Sequence, residues 1–194
     1  MARPSVTAER REEILAAFAR CVARDGVEGA SLQQVADAAG LARALLRHHI
    51  GNREDMILAL AERFCRQSMA EMDALVELLP KKKRLEKLIA VLFTTTYASS
   101  SQELQVAAAL INAAASRPAL KKMLRHWYDG FEDVIALELQ TAYPAAKRAA
   151  VAEVATAIVG MAFSVDSLTP LGKVDDLFQR SQRAALRLAA TLGN

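Results

Sequence analysis

The stretch SLQQVADAAGLARALLRHHIGNR, Ser31 to Arg53, decides the fold. Leu32, Val35, Ala36 and Ala39 fall at i, i+3, i+4 and i+7, which places them on one buried face of a helix. Ser31 stands ahead of them as an N-cap, its hydroxyl accepting a backbone N–H that lacks an intrahelical partner. Gly40 sits where this helix must stop, because glycine adopts a left-handed turn conformation at least cost. Leu41, Leu46 and Ile50 supply the buried side of a second helix. Arg43 and Arg47 then lie exposed one turn apart, with His48 and His49 beside them. Two short helices joined in this way, about residues 31–50, have the plan of a helix-turn-helix whose second helix lies in a DNA major groove.

Upstream, Ile14, Leu15, Phe18, Cys21 and Val22 repeat with helical period, Thr7 is the expected cap, and Gly26 ends the run. Downstream, Asn52 with Asp55 three residues on opens a long helix that ends before Pro80 and the basic run Lys81 to Arg84, read as a solvated loop. From Asn52 to Leu79 such a helix measures about 40 Å, enough to tie a small head to a separate body. Everything beyond also reads as helix, about 84–97, 102–115, 118–142, 145–165 and a last one from the loop DSLTPLGK (166–173) to about Leu192. Apolar residues make up 53% of the 194 and aromatics only 5%, a balance that suits packed helices better than a β-sandwich. The expected class is therefore all-α, with residues 1–51 a three-helix DNA-binding head and 52–194 a helical body.

A net charge of +3 is weak support for a nucleic-acid partner, and residues 1–53 carry eight arginines against six acids. Placement of the arginines says more than their number. No apolar run approaches the roughly 18 residues that span a bilayer, and the N-terminus lacks a signal-peptide core, so no membrane partner and a cytoplasmic location are expected. Cys21 and Cys65 have neither metal-ligand nor disulfide-framework spacing. His48 and His49 are adjacent, hence about 100° apart around a helix, and cannot chelate one ion as an i, i+4 pair does. With no Gly-rich phosphate loop and no nucleophile elbow either, neither an enzyme nor a metal or cofactor site is expected.

The layout resembles the tetracycline-repressor (TetR) family of transcriptional regulators over about residues 7 to 60. The segments that carry the resemblance are RDG (Arg24–Gly26), ASLQQVADAAG (Ala30–Gly40), LARALLRHHI (Leu41–Ile50) and GNREDM (Gly51–Met56). The rest matches only in length and helical character. The resemblance implies a homodimer whose three small helices bind DNA, a long fourth helix, and a body that holds an effector and dimerises through its last two helices. It also implies a phosphate contact at Ser31, a base or phosphate contact at Gln33, base-facing roles for Arg43 and Ala44, and phosphate contacts at His49 and Arg53. Three positions depart from the family pattern: Ala42 where a Ser or Thr cap is usual, Leu45 where a small or hydroxyl residue is usual, and Arg47 in place of an aromatic. If exposed, Leu45 can pack on a thymine methyl. Arg43 is the candidate for bidentate readout of guanine and Arg47 for phosphate, and His48 completes the DNA-binding set.

In the body, Phe64, Met72, Phe93, Tyr97, Ile111, Asn112, Trp127 and Phe131 are candidates to line an effector pocket; Asn112, Tyr97 and Trp127 each bring a polar group to an apolar setting. Stripes on the last two helices, including Val151, Ile158 and Ala162 on one and Leu177, Phe178 and Leu188 on the other, are candidates for a two-fold dimer interface. The expected function is a DNA-binding transcriptional regulator: a repressor that binds a palindromic double-stranded operator as a homodimer and is released by a small-molecule effector. The alternative is a helical small-molecule-binding or adaptor protein that does not bind DNA.

Overall fold

Periodic apolar spacing with no strand-like alternation becomes, in a computed structural model, a chain of α-helices; residues 6–193 are described, with side chains from residue 8 onward. The helices are α1 (Val6–Gly29), α2 (Leu32–Ala39), α3 (Arg43–Ile50), α4 (Arg53–Glu77), α5 (Arg84–Leu92), α6 (Ser101–Ala113), α7 (Pro118–Ala142), α8 (Arg148–Ser167) and α9 (Asp175–Ala190). No strand occurs among the described residues. The Thr7 side chain lies outside the described set, so its capping role is not addressed. Gly26 breaks α1 with φ 73°, a left-handed value that favours glycine, so the expected end of the first helix survives as a kink.

The helices pack as two compact units. The first comprises residues up to Gln67 together with Ser100–Arg125. In it α1 lies against α2, α3 and α6. Ile14, Phe18, Leu46, Met56, Ile57, Leu60, Leu110 and Leu120 are fully buried there. Packing thus groups the three head helices with α6 and the beginnings of α4 and α7, a different cut from the division at residue 51. The reason is that α1 needs an apolar partner along its length, and α6 supplies Val106, Leu110 and Ala113.

The second unit comprises Ser68–Ser99 and His126–Asn194, where α9 packs against α8 and α5. Its core includes Leu88, Ile89, Phe93, Ile135, Leu139, Ile158 and Phe178. The basic run is not wholly solvated. Lys81, Lys82 and Lys83 are exposed, but Arg84 donates from Nε to both carboxylate oxygens of the buried Glu138 at 2.9 Å, and from its Nη atoms to the Val76 and Leu79 carbonyls. A buried carboxylate without a partner would be costly, and the guanidinium both pairs it and satisfies carbonyls at the end of α4.

One expectation about apolar runs is corrected. Residues Arg148–Leu171 are long and apolar enough to cross a membrane by length and composition, with mean hydropathy 1.6. Valine, isoleucine, methionine, phenylalanine and alanine together raise the mean, while Glu153, Thr156 and Ser164 interrupt the apolar run.

Candidate nucleic-acid interface

Ser31 precedes α2 in extended conformation, and its hydroxyl accepts the Gln34 N–H at 3.2 Å. Gln34 returns the contact, its Oε1 accepting the Ser31 N–H at 2.7 Å, which completes a capping box. The sequence signal for this reciprocal partner is the spacing Ser-x-x-Gln, Ser31 to Gln34. Gln34 also donates to Asp25 at 3.1 Å, so the cap is tied back to α1. Arg20 ties the other end of α2, donating to the Ala38 carbonyl at 3.2 Å. Gly40 closes the helix at φ 65° and its N–H bonds to the Ala36 and Asp37 carbonyls.

Ala42 leads into α3 with no side-chain cap, as its methyl dictates. Leu46 and Ile50 are the buried residues of α3. Arg43, Ala44, Leu45, Arg47 and His48 are all exposed, while His49 is half-buried with its ring 5.3 Å from that of His48. Leu45 is 44% exposed and lies between the exposed Arg43 and Arg47 in sequence. A concave surface of about 490 Å³ is lined by Leu32, Arg43, Ala44, Arg47, Asn52 and Arg53. Its lining combines the apolar Leu32 and Ala44 with three arginines, which suits a sugar-phosphate backbone. Ser31 and Gln33 are exposed as well, and Gln33 donates to Asp37 at 2.8 Å.

Arg53 does something the sequence did not indicate. Its guanidinium donates to the Ala30 carbonyl at 2.7 Å, the Glu28 carbonyl at 3.0 Å and the Val27 carbonyl, turning toward the α1–α2 connection. The guanidinium named as a phosphate contact thus clamps three carbonyls of its own chain. Asn52 and Asp55 cap α4 reciprocally, at 3.1 and 2.8 Å, as their spacing predicts.

The body candidates are distributed over both units. Phe64, Ile111 and Asn112 belong to the first and Met72, Phe93, Tyr97, Trp127 and Phe131 to the second. Ile111 is 53% exposed and Asn112 is exposed too, because both lie on the side of α6 opposite Leu110 and Val106. In the second unit Trp127, Phe131 and Phe163 form mutual edge-to-face contacts with centroids 5.3–5.5 Å apart, and Tyr128 joins Phe163 at 5.4 Å. Trp127 Nε1 donates to the Ser68 hydroxyl at 3.1 Å. Burial raises the Tyr97 phenol to about 12, with Glu71 and Asp166 adding to the effect.

Of the six interface candidates, Val151, Ile158 and Phe178 are buried inside their own chain, so they are not available to a second copy. The physical reason is that α8 and α9 pack on each other within one chain, which leaves these large apolar side chains covered. Ala162, Leu177 and Leu188 stay half-exposed. Cys21 is buried and Cys65 half-buried, its thiol pushed up to about 11 by burial. No group of His, Cys, Asp and Glu able to hold a metal occurs among the described residues.

Comparison with known proteins places this geometry. Residues 14–60 match the family of bacterial regulatory proteins called tetR. Over 51 residues the chain is 43% identical to the HTH-type transcriptional repressor AcnR of Corynebacterium glutamicum, a match covering 26% of this chain and 27% of that protein. It is 34% identical over 89 residues to the HTH-type transcriptional regulator PksA of Bacillus subtilis, covering 44% and 43% of the two chains. The chain thus spans about a quarter of the length of the repressors it matches.

Solved structures agree over nearly the whole fold. A TetR-family regulator from Cytophaga hutchinsonii superposes with a TM-score of 0.78 at 15% identity, covering 98% of each chain. A regulator from Saccharomonospora viridis, solved in complex with choline, gives 0.75 at 20% identity over 90% of this chain and 94% of that one. Sequence likeness to the tetR family of bacterial regulatory proteins thus covers residues 14–60, and likeness of fold covers nearly the whole chain.

Proposed function

We propose that this protein is a transcriptional regulator, a repressor that binds a palindromic double-stranded DNA operator as a homodimer in the cytoplasm. The observation that carries the reading is the outward face of α3. Arg43, Ala44, Leu45 and Arg47 are all solvent-exposed, while Leu46 and Ile50 hold the helix to the body of its own unit. Arg43 reads guanine, Arg47 and His49 meet phosphates, and Ser31, Gln33, Ala44, Leu45 and His48 fill the rest of the contact. Arg53 lines the concave surface beside Arg43 and Arg47 and holds the α1–α2 connection next to this face. Residues 1–51 act as the DNA-binding part and 52–194 as the ligand-binding and dimerisation part.

The release signal is a small molecule seated against the aromatic cluster of Trp127, Phe131 and Phe163 in the second unit. Clustered aromatic rings suit an organic cation, the chemistry of the choline held by the Saccharomonospora viridis regulator. The homodimer forms through α8 and α9, using Ala162, Leu177 and Leu188 beside the exposed small residues Ala152, Thr156 and Gly160. An effector coupling of about 1–3 kcal/mol shifts operator affinity some 5–150-fold.

Selection of bound fragments from a random duplex library, followed by a salt titration, tests the reading. A regulator recovers paired half-sites and shows a steep negative dependence of log K on log salt. Recovery of no sequence, with a flat salt dependence, favours instead a helical small-molecule-binding or adaptor protein that does not use DNA.

A further inference from the structure

The helix-turn-helix of residues 31–50 is a short piece of chain, and what sets its pose is the structure at its two flanks. The flank before it carries Glu28, just past the Gly26 kink; the flank after it carries Glu54, the second residue of α4. Arg117 reaches both. It lies between the turn Ala114–Ser116 and the start of α7, and within the first unit. Its Nε and Nη2 address the two oxygens of Glu54 at 3.0 and 3.3 Å. Its Nη1 lies 2.8 Å from Glu28 Oε1 and donates to the Ala113 carbonyl at 3.3 Å.

We propose that Arg117 is a positioning residue for DNA binding: it brackets the helix-turn-helix by gripping Glu28 and Glu54 and so holds α3 at the angle the groove requires. Three features favour this over an incidental surface pair. The fork is used on all sides, in a geometry that an ammonium cannot copy. The Arg117 side chain is only 17% exposed although both carboxylates are largely in water, so the guanidinium is the fixed member. Arg53 bonds the same two flanks to each other, which makes them one base on which the motif stands. The inference rests on the DNA-binding reading above.

The sign of a paired mutation separates positioning from plain charge. Neutralising an acid near DNA by itself strengthens binding, since it removes repulsion from phosphates. Positioning demands the reverse. Arg117→Gln and Glu54→Gln should each weaken binding to the selected duplex about fivefold, and the double variant should be no worse than Arg117→Gln alone. Arg117→Lys should not restore affinity. The salt slope should stay at the wild-type value in all of them, because Arg117 touches no phosphate.

Tighter binding by Glu54→Gln, additive losses in the double variant, or a slope reduced by about one in Arg117→Gln would each overturn the proposal. Glu54→Gln alters an exposed side chain, so the sign is readable even where Arg117→Gln fails to fold. A wild-type protein with no affinity for duplex refutes the regulator reading, and the proposal falls with it; a wild-type that binds while the variants misbehave as described refutes the positioning role alone.

Discussion

Arg53 and Ala30 are joined by a 2.7 Å hydrogen bond that closes the first residue of α4 onto the residue before the α2 cap. The same guanidinium donates to the Glu28 carbonyl, so one side chain holds the connection between α1 and α2. Arg53→Ala should lower stability by about 2 kcal/mol, the scale of hydrogen bonds to a charged donor. Denaturant melts measure that loss. In the salt titration its slope should match wild type, because the donors serve the chain itself. A slope smaller by about one would show that the guanidinium leaves its carbonyls for a phosphate.

Arg43 and Arg47 are both exposed but sit at different points of α3, the first at its start and the second one turn on. Residues at the start of a recognition helix meet base edges, while those further along and to the side meet backbone. Arg43→Ala should cost about 1–3 kcal/mol on the preferred duplex and relax the preference at one base pair per half-site. Arg47→Ala should weaken all duplexes alike and flatten the salt slope. Competition binding against single-base variants of the selected site distinguishes the two outcomes; equal and uniform losses from both changes would refute the division of labour.

Leu45 presents an apolar group where its neighbours Arg43 and Arg47 are charged. In the major groove the one apolar group on a base edge is the thymine methyl. Replacing a single contacted thymine by uracil removes that methyl and nothing else. The expected loss is about 0.8 kcal/mol per half-site, and it should vanish in Leu45→Ala. An equal uracil penalty in wild type and variant would assign the methyl to another residue.

Local chemistry of the head was legible because each signal and its partner lie within a few residues. Ser31, Gly40 and the Asn52–Asp55 pair behave as their spacing dictates, and Pro118 begins α7. The three arginine clamps were not legible. Arg53, Arg84 and Arg117 find acceptors 25, 54 and 63 positions away, and an arginine beside a loop reads the same whether it is solvated or bound. The stripes of α8 and α9 were misplaced for a related reason. Apolar period shows that Val151, Ile158 and Phe178 are covered but not whether their own chain or a copy covers them. Ile111 shows the opposite error, a large apolar residue that the fold leaves exposed.

Alkaline stability offers a test of the second unit. Tyr97 is held at about 12 against an ordinary 10.0, chiefly by burial and then by Glu71 and Asp166. Ser99 fixes that last carboxylate in place, its N–H and hydroxyl donating to Asp166 at 2.9 and 2.6 Å. Below pH 10 the phenol is neutral in both folded and unfolded chains and stability does not depend on it. Between about 10 and 12 the unfolded chain releases the proton while the folded chain retains it, so unfolding gains as pH rises. Tyr97→Phe has no proton to lose. Urea midpoints of wild type and variant should therefore keep a constant separation up to pH 10 and then shift in favour of the variant. Parallel curves across that range would mean that the ring is hydrated in the folded protein and that burial does not hold the phenol up.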